Sequence, residues 1–111
     1  MNVIINLTPH VVSVVSETGS IVAEYPSMGV ARATQSDSPC GTLEGIPLVR
    51  SEFGVVEGLP EFVSGTWYVV SAITATAART EGRTTEDLLL TSGPVRDADG
   101  RIVGCRAFAL V

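Results

Sequence analysis

Thr66-Trp67-Tyr68-Val69-Val70 runs without a break into Ser71-Ala72-Ile73-Thr74-Ala75-Thr76-Ala77-Ala78-Arg79. The first five residues are mostly aromatic or β-branched, which suits a pleated, half-buried strand. Ser71 is placed to accept from the unpaired N–H groups of a helix start, and Gly82 to end that helix. Ile73, Thr74 and Thr76 lower the helix propensity of the second stretch, yet Ile73 and Ala77, four residues apart, keep one helical face available. A strand that feeds directly into a capped, Ala-rich helix makes the chain a mixture of strand and helix.

Outward from that centre the pattern is mostly strand. Residues 2–15 give two apolar stretches bent at Asn6-Leu7-Thr8-Pro9-His10, where the Thr-Pro step forbids continued helix. Glu17-Thr18-Gly19-Ser20 has turn chemistry between residues 11–15 and 21–25, both rich in β-branched residues, so a hairpin is expected. Tyr25-Pro26-Ser27-Met28-Gly29 then turns into a short strand over residues 30–34. Residues 35–41 are polar and contain Pro39, which reads as an exposed loop. Residues 46–50 and 53–57 read as two short strands, with Pro47 favouring an edge. Thr84-Thr85-Glu86-Asp87 resembles a capping box and predicts another helical turn before Leu88-Leu89-Leu90. Asp97-Ala98-Asp99-Gly100 makes a four-residue turn between Pro94-Val95-Arg96 and a strand over residues 101–110. The expected fold is α+β: a small, mostly antiparallel β-sheet domain with one or two short helices, forming a single domain over residues 1–111.

Composition narrows the function. A chain of 111 residues buries roughly two-thirds of its unfolded surface, enough for one core without staples. Six aromatic residues among many Val, Ala, Ile and Leu favour closely packed sheets over an aromatic-lined cavity. The net charge of −5 and seven scattered basic residues disfavour a nucleic acid polymer. Those seven are all arginine, whose planar forks suit a small phosphate. The opening Met1-Asn2-Val3-Ile4-Ile5 lacks a basic flank and reads as a strand, and no run is long enough to span a bilayer. No membrane partner is expected, and the protein is expected to stay in the cytoplasm. Cys40 and Cys105 are too few and too far apart for a disulfide framework or a four-ligand zinc site, so both read as buried thiols.

No catalytic constellation emerges. His10 is the single histidine, and a bend or core position is favoured for it over a metal or acid–base role. Asp97, Asp99 and Gly100 resemble the start of a calcium loop without its later ligands. Glu52, Glu57 and Glu61 are close in sequence, but their Gly- and Pro-broken surroundings favour a solvated edge. The chain is therefore expected not to be an enzyme, with no catalytic residues, no metal and no cofactor.

Two arginines inside small, apolar strands are the more informative feature. Strict alternation from Arg101 to Leu110 puts Ile102, Gly104, Arg106, Phe108 and Leu110 on one face. Arg106 then lies on an apolar face, where a guanidinium needs an acid or a ligand anion, while Gly104 leaves room for close approach. Arg32, in Gly29-Val30-Ala31-Arg32-Ala33-Thr34, poses the same question. An internal salt bridge is the plain structural alternative for each, and the two together suggest an anion site.

Asn6-Leu7-Thr8-Pro9-His10, Gly29-Val30-Ala31-Arg32, Gly58-Leu59-Pro60, Tyr68-Val69-Val70-Ser71-Ala72 and the run from Arg96-Asp97-Ala98-Asp99-Gly100 to Gly104-Cys105-Arg106 span nearly the whole chain. In this pattern the sequence resembles the first type of Thoeris anti-defence protein, a phage-encoded sponge. The resemblance implies binding of cyclic ADP-ribose isomers made by bacterial TIR-domain immune proteins, held without cleavage in the bacterial host cytoplasm. It also implies that Arg32 and Arg106 hold the ligand's phosphates, that one of Phe108, Trp67 and Tyr68 stacks on the base, and that the chain forms a homo-oligomer, a dimer or hexamer, through helices. Two other functions stay open beside it: a small interaction or assembly protein with structural arginines, and an enzyme that processes a nucleotide phosphate.

Overall fold

The computed structural model describes residues 2–111. Eight strands and one helix follow in the order β1 (Val3–Asn6), β2 (Val12–Val15), β3 (Ile21–Tyr25), β4 (Gln35–Leu43), β5 (Ile46–Phe53), β6 (Thr66–Val69), α1 (Ala72–Thr80), β7 (Leu88–Arg96) and β8 (Ile102–Leu110). Six strands form one sheet in the order β1-β6-β7-β8-β2-β3, and β4 and β5 form a separate two-stranded ribbon. The α+β expectation holds in outline, and of the one or two short helices expected the described residues carry one. Thr84-Thr85-Glu86-Asp87 gives no helical turn; it leads through a tight turn, Leu88 N–H to the Thr85 carbonyl at 3.1 Å, straight into β7.

Antiparallel ladders carry most of the paired residues, but three of the five ladders of the six-stranded sheet are parallel. β1 runs parallel to β6, β6 to β7, and β2 to β8, whereas β7 with β8 and β2 with β3 are antiparallel. The strand-to-helix stretch is thus a β6-α1-β7 crossover, the connection that two neighbouring parallel strands require. Ser71 caps α1 as expected: its Oγ accepts from the Thr74 N–H at 3.2 Å. At the far end the chain leaves the sheet at Tyr25, and Ser27 bridges Asn6 in parallel while the Met28 N–H donates to the Asn6 carbonyl at 2.9 Å. The two edges of the sheet therefore meet at one corner.

Alternate residues of β6 and β7 feed two cores, as the two-residue period of a strand requires. Tyr68, Val70 and Leu88 pack with Leu7, Ala31 and the helix residues Ala75 and Ala78. Val69 and Leu89 pack with Val12 and Cys105, with Ile4, Tyr25, Trp67 and Phe108 partly buried around them. Below the first core the Arg83 guanidinium grips the buried Asp87 carboxylate through two bonds, 2.8 and 2.9 Å, and also donates to the Thr84 and Pro60 carbonyls.

Several expected boundaries move. Residues 35–41, expected to be a loop, are most of β4, because the residues facing them in β5 supply a ladder, interrupted by one bulge at Cys40, from Gln35↔Phe53 to Leu43↔Ile46. The two strands expected over residues 46–57 collapse into the single β5. The strand expected over residues 30–34 reduces to one bridge, Arg32↔Glu57. Of the two thiols, Cys105 is buried and Cys40 is exposed on the ribbon. The strict alternation expected in the last strand is broken by a bulge: Arg96 pairs Ile102 but Val95 pairs Gly104, so Val103 is the extra residue. Ile102 therefore leaves the face shared by Gly104, Arg106 and Phe108.

Candidate functional site

The buried side chain of Asn6, at the carboxyl end of β1, organises the loop that follows. Its Nδ2 donates to the His10 carbonyl at 2.7 Å and to the Tyr25 carbonyl at 2.8 Å. Its Oδ1 accepts from the Thr8 N–H at 2.9 Å and the Thr8 hydroxyl at 2.6 Å. An amide that satisfies both of its ends in this way fixes a turn two residues on, the behaviour of Asn at turn positions. Thr8-Pro9-His10 is thus a fixed wall, and the Asn-Leu-Thr-Pro-His motif gains a structural cause.

That wall separates two depressions. The larger is a cleft of about 550 Å³ lined by Thr8, His10, Val12, Ser71, Thr91 and the Val103-Gly104-Cys105 segment, among others. Its size falls in the range of small-molecule sites, and its lining is apolar with a few hydroxyls and one imidazole. The smaller, about 280 Å³, is bounded by Leu7, Thr8, Pro9, Val30, Ala31, Arg32 and Ser71. Thr8 and Ser71 line both. The pair opens where parallel β1 and β6 end and α1 begins, the side of an α/β arrangement on which ligands usually bind.

Arg32 is held at the smaller depression by its backbone. The Arg32 N–H donates to the Glu57 carbonyl at 2.9 Å, the Glu57 N–H donates back at 2.9 Å, and the Ala31 N–H donates to Leu7 at 2.9 Å. The buried Thr74 hydroxyl of α1 donates to the Ala31 carbonyl at 3.2 Å, tying this segment to the first turn of the helix. Gly58 has a φ of +80°, and a Cβ there would lie 2.5 Å from the Val30 carbonyl oxygen, so the returning strand needs glycine to come this close. The Arg32 side chain is exposed, and the one ion pair among the described residues joins Arg83 to Asp87. Arg32 therefore makes no salt bridge among the described residues, and it lines the smaller depression together with Ser71, the cap of α1.

Arg106 also makes no ion pair among the described residues, but it lies elsewhere. Its guanidinium donates to the Ser16 carbonyl at 2.9 Å, its side chain is exposed, and it lines neither depression. The apolar setting expected for it is absent because its partner on β7 is Gly93, whose Cα leaves the arginine stem open to solvent. The two arginines are not brought into one pocket within a single chain.

The remaining expected ligand residues separate. Gly104 lines the large cleft, where a Cβ would lie 2.7 Å from Val15 Cγ2 and 3.0 Å from the Ser13 carbonyl oxygen, so it is needed for β8 to lie against β2. Phe108 is half-buried and packs on Tyr25, ring centroids 5.8 Å apart and tilted by 57°. Trp67 is half-buried in the second core, and Tyr68 is buried in the first, with no ring face open to either depression. Glu52, Glu57 and Glu61 are exposed, and no three His, Cys, Asp or Glu side chains gather as metal ligands among the described residues. No described helix is long and apolar enough to cross a membrane.

Asn6, Thr8 and Ser71 join the site without being expected there from the sequence. Asn6 and Thr8 carried a signal, since Asn followed two residues later by Thr is a turn-forming pair. Ser71 has the sequence signal of a cap alone, and its place at the site follows only from the parallel pairing of β1 with β6. Comparison of the chain with protein families, curated proteins and solved structures finds no match.

Proposed function

We propose that the chain is a binding protein whose paired depressions take a small anionic, nucleotide-derived ligand and hold it without cleavage. The observation that carries this reading is Arg32: an arginine with no ion pair among the described residues, fixed through backbone bonds to Glu57 at a concave site beside the N-terminus of α1. A phosphate placed there receives a bidentate, charge-assisted fork from Arg32 and the favourable end of the helix dipole. The larger cleft next to it has room for a base and ribose, with the Thr8, Ser71 and Thr91 hydroxyls and His10 as polar contacts. In the form implied by the Thoeris anti-defence resemblance, the ligand is a cyclic ADP-ribose isomer and the chain acts as a sponge in the bacterial host cytoplasm.

Sequestration needs slow release rather than turnover, and the lining offers one imidazole and no carboxylate beside it. The direct check is to express the chain beside an active TIR-domain enzyme, purify it, denature it and identify the released small molecules by mass spectrometry. An intact cyclic ADP-ribose isomer is expected. A linear or hydrolysed product would turn the reading into that of a phosphate-processing enzyme, and no released nucleotide would remove it.

A further inference from the structure

Large aliphatic side chains of the larger cleft stand open to solvent. Val11 is 58% exposed, Ile102 62% and Val103 52%, and all of them line that cleft. Single exposed aliphatic residues are ordinary on a protein surface, whereas a group of them in a concavity marks a place that a ligand covers. They come together where two strands meet. β2 and β8 pair in parallel at Val14↔Cys105, and the residues that precede this pair on each strand border the cleft. Consecutive residues of a regular strand point to opposite faces, yet Ile102 and Val103 both line the cleft. The bulge that inserts Val103 is the local departure from alternation that accompanies this.

We propose that Val11, Ile102 and Val103 form an aliphatic seat for the base of the bound nucleotide, in contact with the faces of its ring. The assignment rests on a nucleotide-derived ligand whose phosphate lies at Arg32. Thr8 and Ser71 line both depressions, so a ligand anchored at Arg32 crosses them to enter the cleft. Among the described residues no Phe, Tyr or Trp lines it: Phe108 packs on Tyr25, and Trp67 and Tyr68 belong to the two cores. The aliphatic residues therefore take the place expected for an aromatic side chain.

The faces of a base are its apolar surface, and covering them with aliphatic groups removes area from water on both partners. The edge of the ring has less to hold it. Among the described residues the lining carries no carboxylate, amide or arginine, and its hydroxyls and the His10 imidazole can each donate or accept. Recognition then falls on the faces of the ring rather than on the donor and acceptor pattern of its edge. Adenine and hypoxanthine are held alike.

Isothermal titration calorimetry with cyclic ADP-ribose isomers tests the seat on wild type, Val11→Ser, Ile102→Ser, Val103→Ser and, as a control on the ribbon, Leu43→Ser. Each substitution changes an exposed side chain, so circular dichroism and thermal unfolding are expected to stay as in wild type. Each seat variant is expected to weaken binding about tenfold, the scale of one lost aliphatic contact. Val103→Ile, which keeps the aliphatic surface, and Leu43→Ser are expected to bind as wild type does. Replacing adenine by hypoxanthine in the ligand is expected to cost less than about tenfold, against the roughly 10⁴-fold loss from a site built to hydrogen-bond the amine. Seat variants that bind as wild type does, while Arg32→Ala loses affinity, would overturn the seat and leave the phosphate site standing. A near-complete loss of binding on exchange to hypoxanthine would also overturn it. A wild type that binds no isomer would remove the nucleotide reading and the seat together.

Discussion

β7 and β4 are both nine-residue strands, each contains one proline and one glycine, and each pairs antiparallel with the strand that follows it. β7 opens on Leu88 and Leu89, both buried, while β4 has no buried residue at all. Hydrogen bonding to one neighbour is common to both, so the ladder does not make the difference. β7 has β6 on its other edge and the small residues of α1 above one face, and this second layer turns a paired strand into a core. β4 has neither. A ladder sets the path of the chain, and burial by a further layer sets its stability.

Substitutions across the two regions sharpen that contrast. Leu88→Ala removes a fully buried side chain between the sheet and α1, and a loss of about 3 kcal/mol is expected in urea denaturation. Asn6→Ala leaves the Tyr25 and His10 carbonyls and the Thr8 N–H without their partner, and a loss of about 2 kcal/mol is expected by the same measurement. Ser71→Ala uncaps α1 and is expected to cost about 1 kcal/mol in thermal or urea unfolding. Leu43→Ala at the ribbon tip is expected to change stability by less than about 0.5 kcal/mol in urea denaturation of a dilute sample. If Leu43→Ala matched Leu88→Ala under those conditions, the ribbon would belong to the cooperative core and the contrast would fail.

The same contrast explains what the sequence could show. The strand over residues 66–69, its Ser71 cap and the helix behind it were legible because composition, capping and spacing all agree there. The hairpins around Gly19 and Gly100 were legible from turn chemistry, and both close as expected, with the Asp97 N–H bonded to the Arg101 carbonyl at 2.9 Å. β4 was not legible, because Gln35-Ser36-Asp37-Ser38-Pro39 has a loop's composition and its turn, Glu44-Gly45, puts a glutamate at a φ of +51° where asparagine is the usual signal. Its strand character comes from β5 alone.

At the site, Arg32 and Gly104 could be picked out as an unexplained charge and an unexplained gap, and both reach the depressions described. Arg106 shares a face with Gly104 as the alternation predicts, but it lies opposite Gly93, whose missing side chain no single-strand pattern reveals, and its guanidinium goes to the Ser16 carbonyl instead of the cleft. Tyr68 and Trp67 looked equivalent in sequence. They separate only because α1 packs on one face of β6, burying Tyr68 while Trp67 lies on the other side.

The central claim is that Arg32 binds the ligand's phosphate at the mouth between β1, β6 and α1. Isothermal titration calorimetry with cyclic ADP-ribose isomers, on wild type, Arg32→Ala and Arg106→Ala, tests it most directly. The account predicts saturable binding by wild type and a loss of about 1.5–3 kcal/mol in binding free energy for Arg32→Ala. It predicts little change for Arg106→Ala, whose guanidinium lies against Ser16. No binding to any isomer, or equal affinity in wild type and Arg32→Ala, would contradict it.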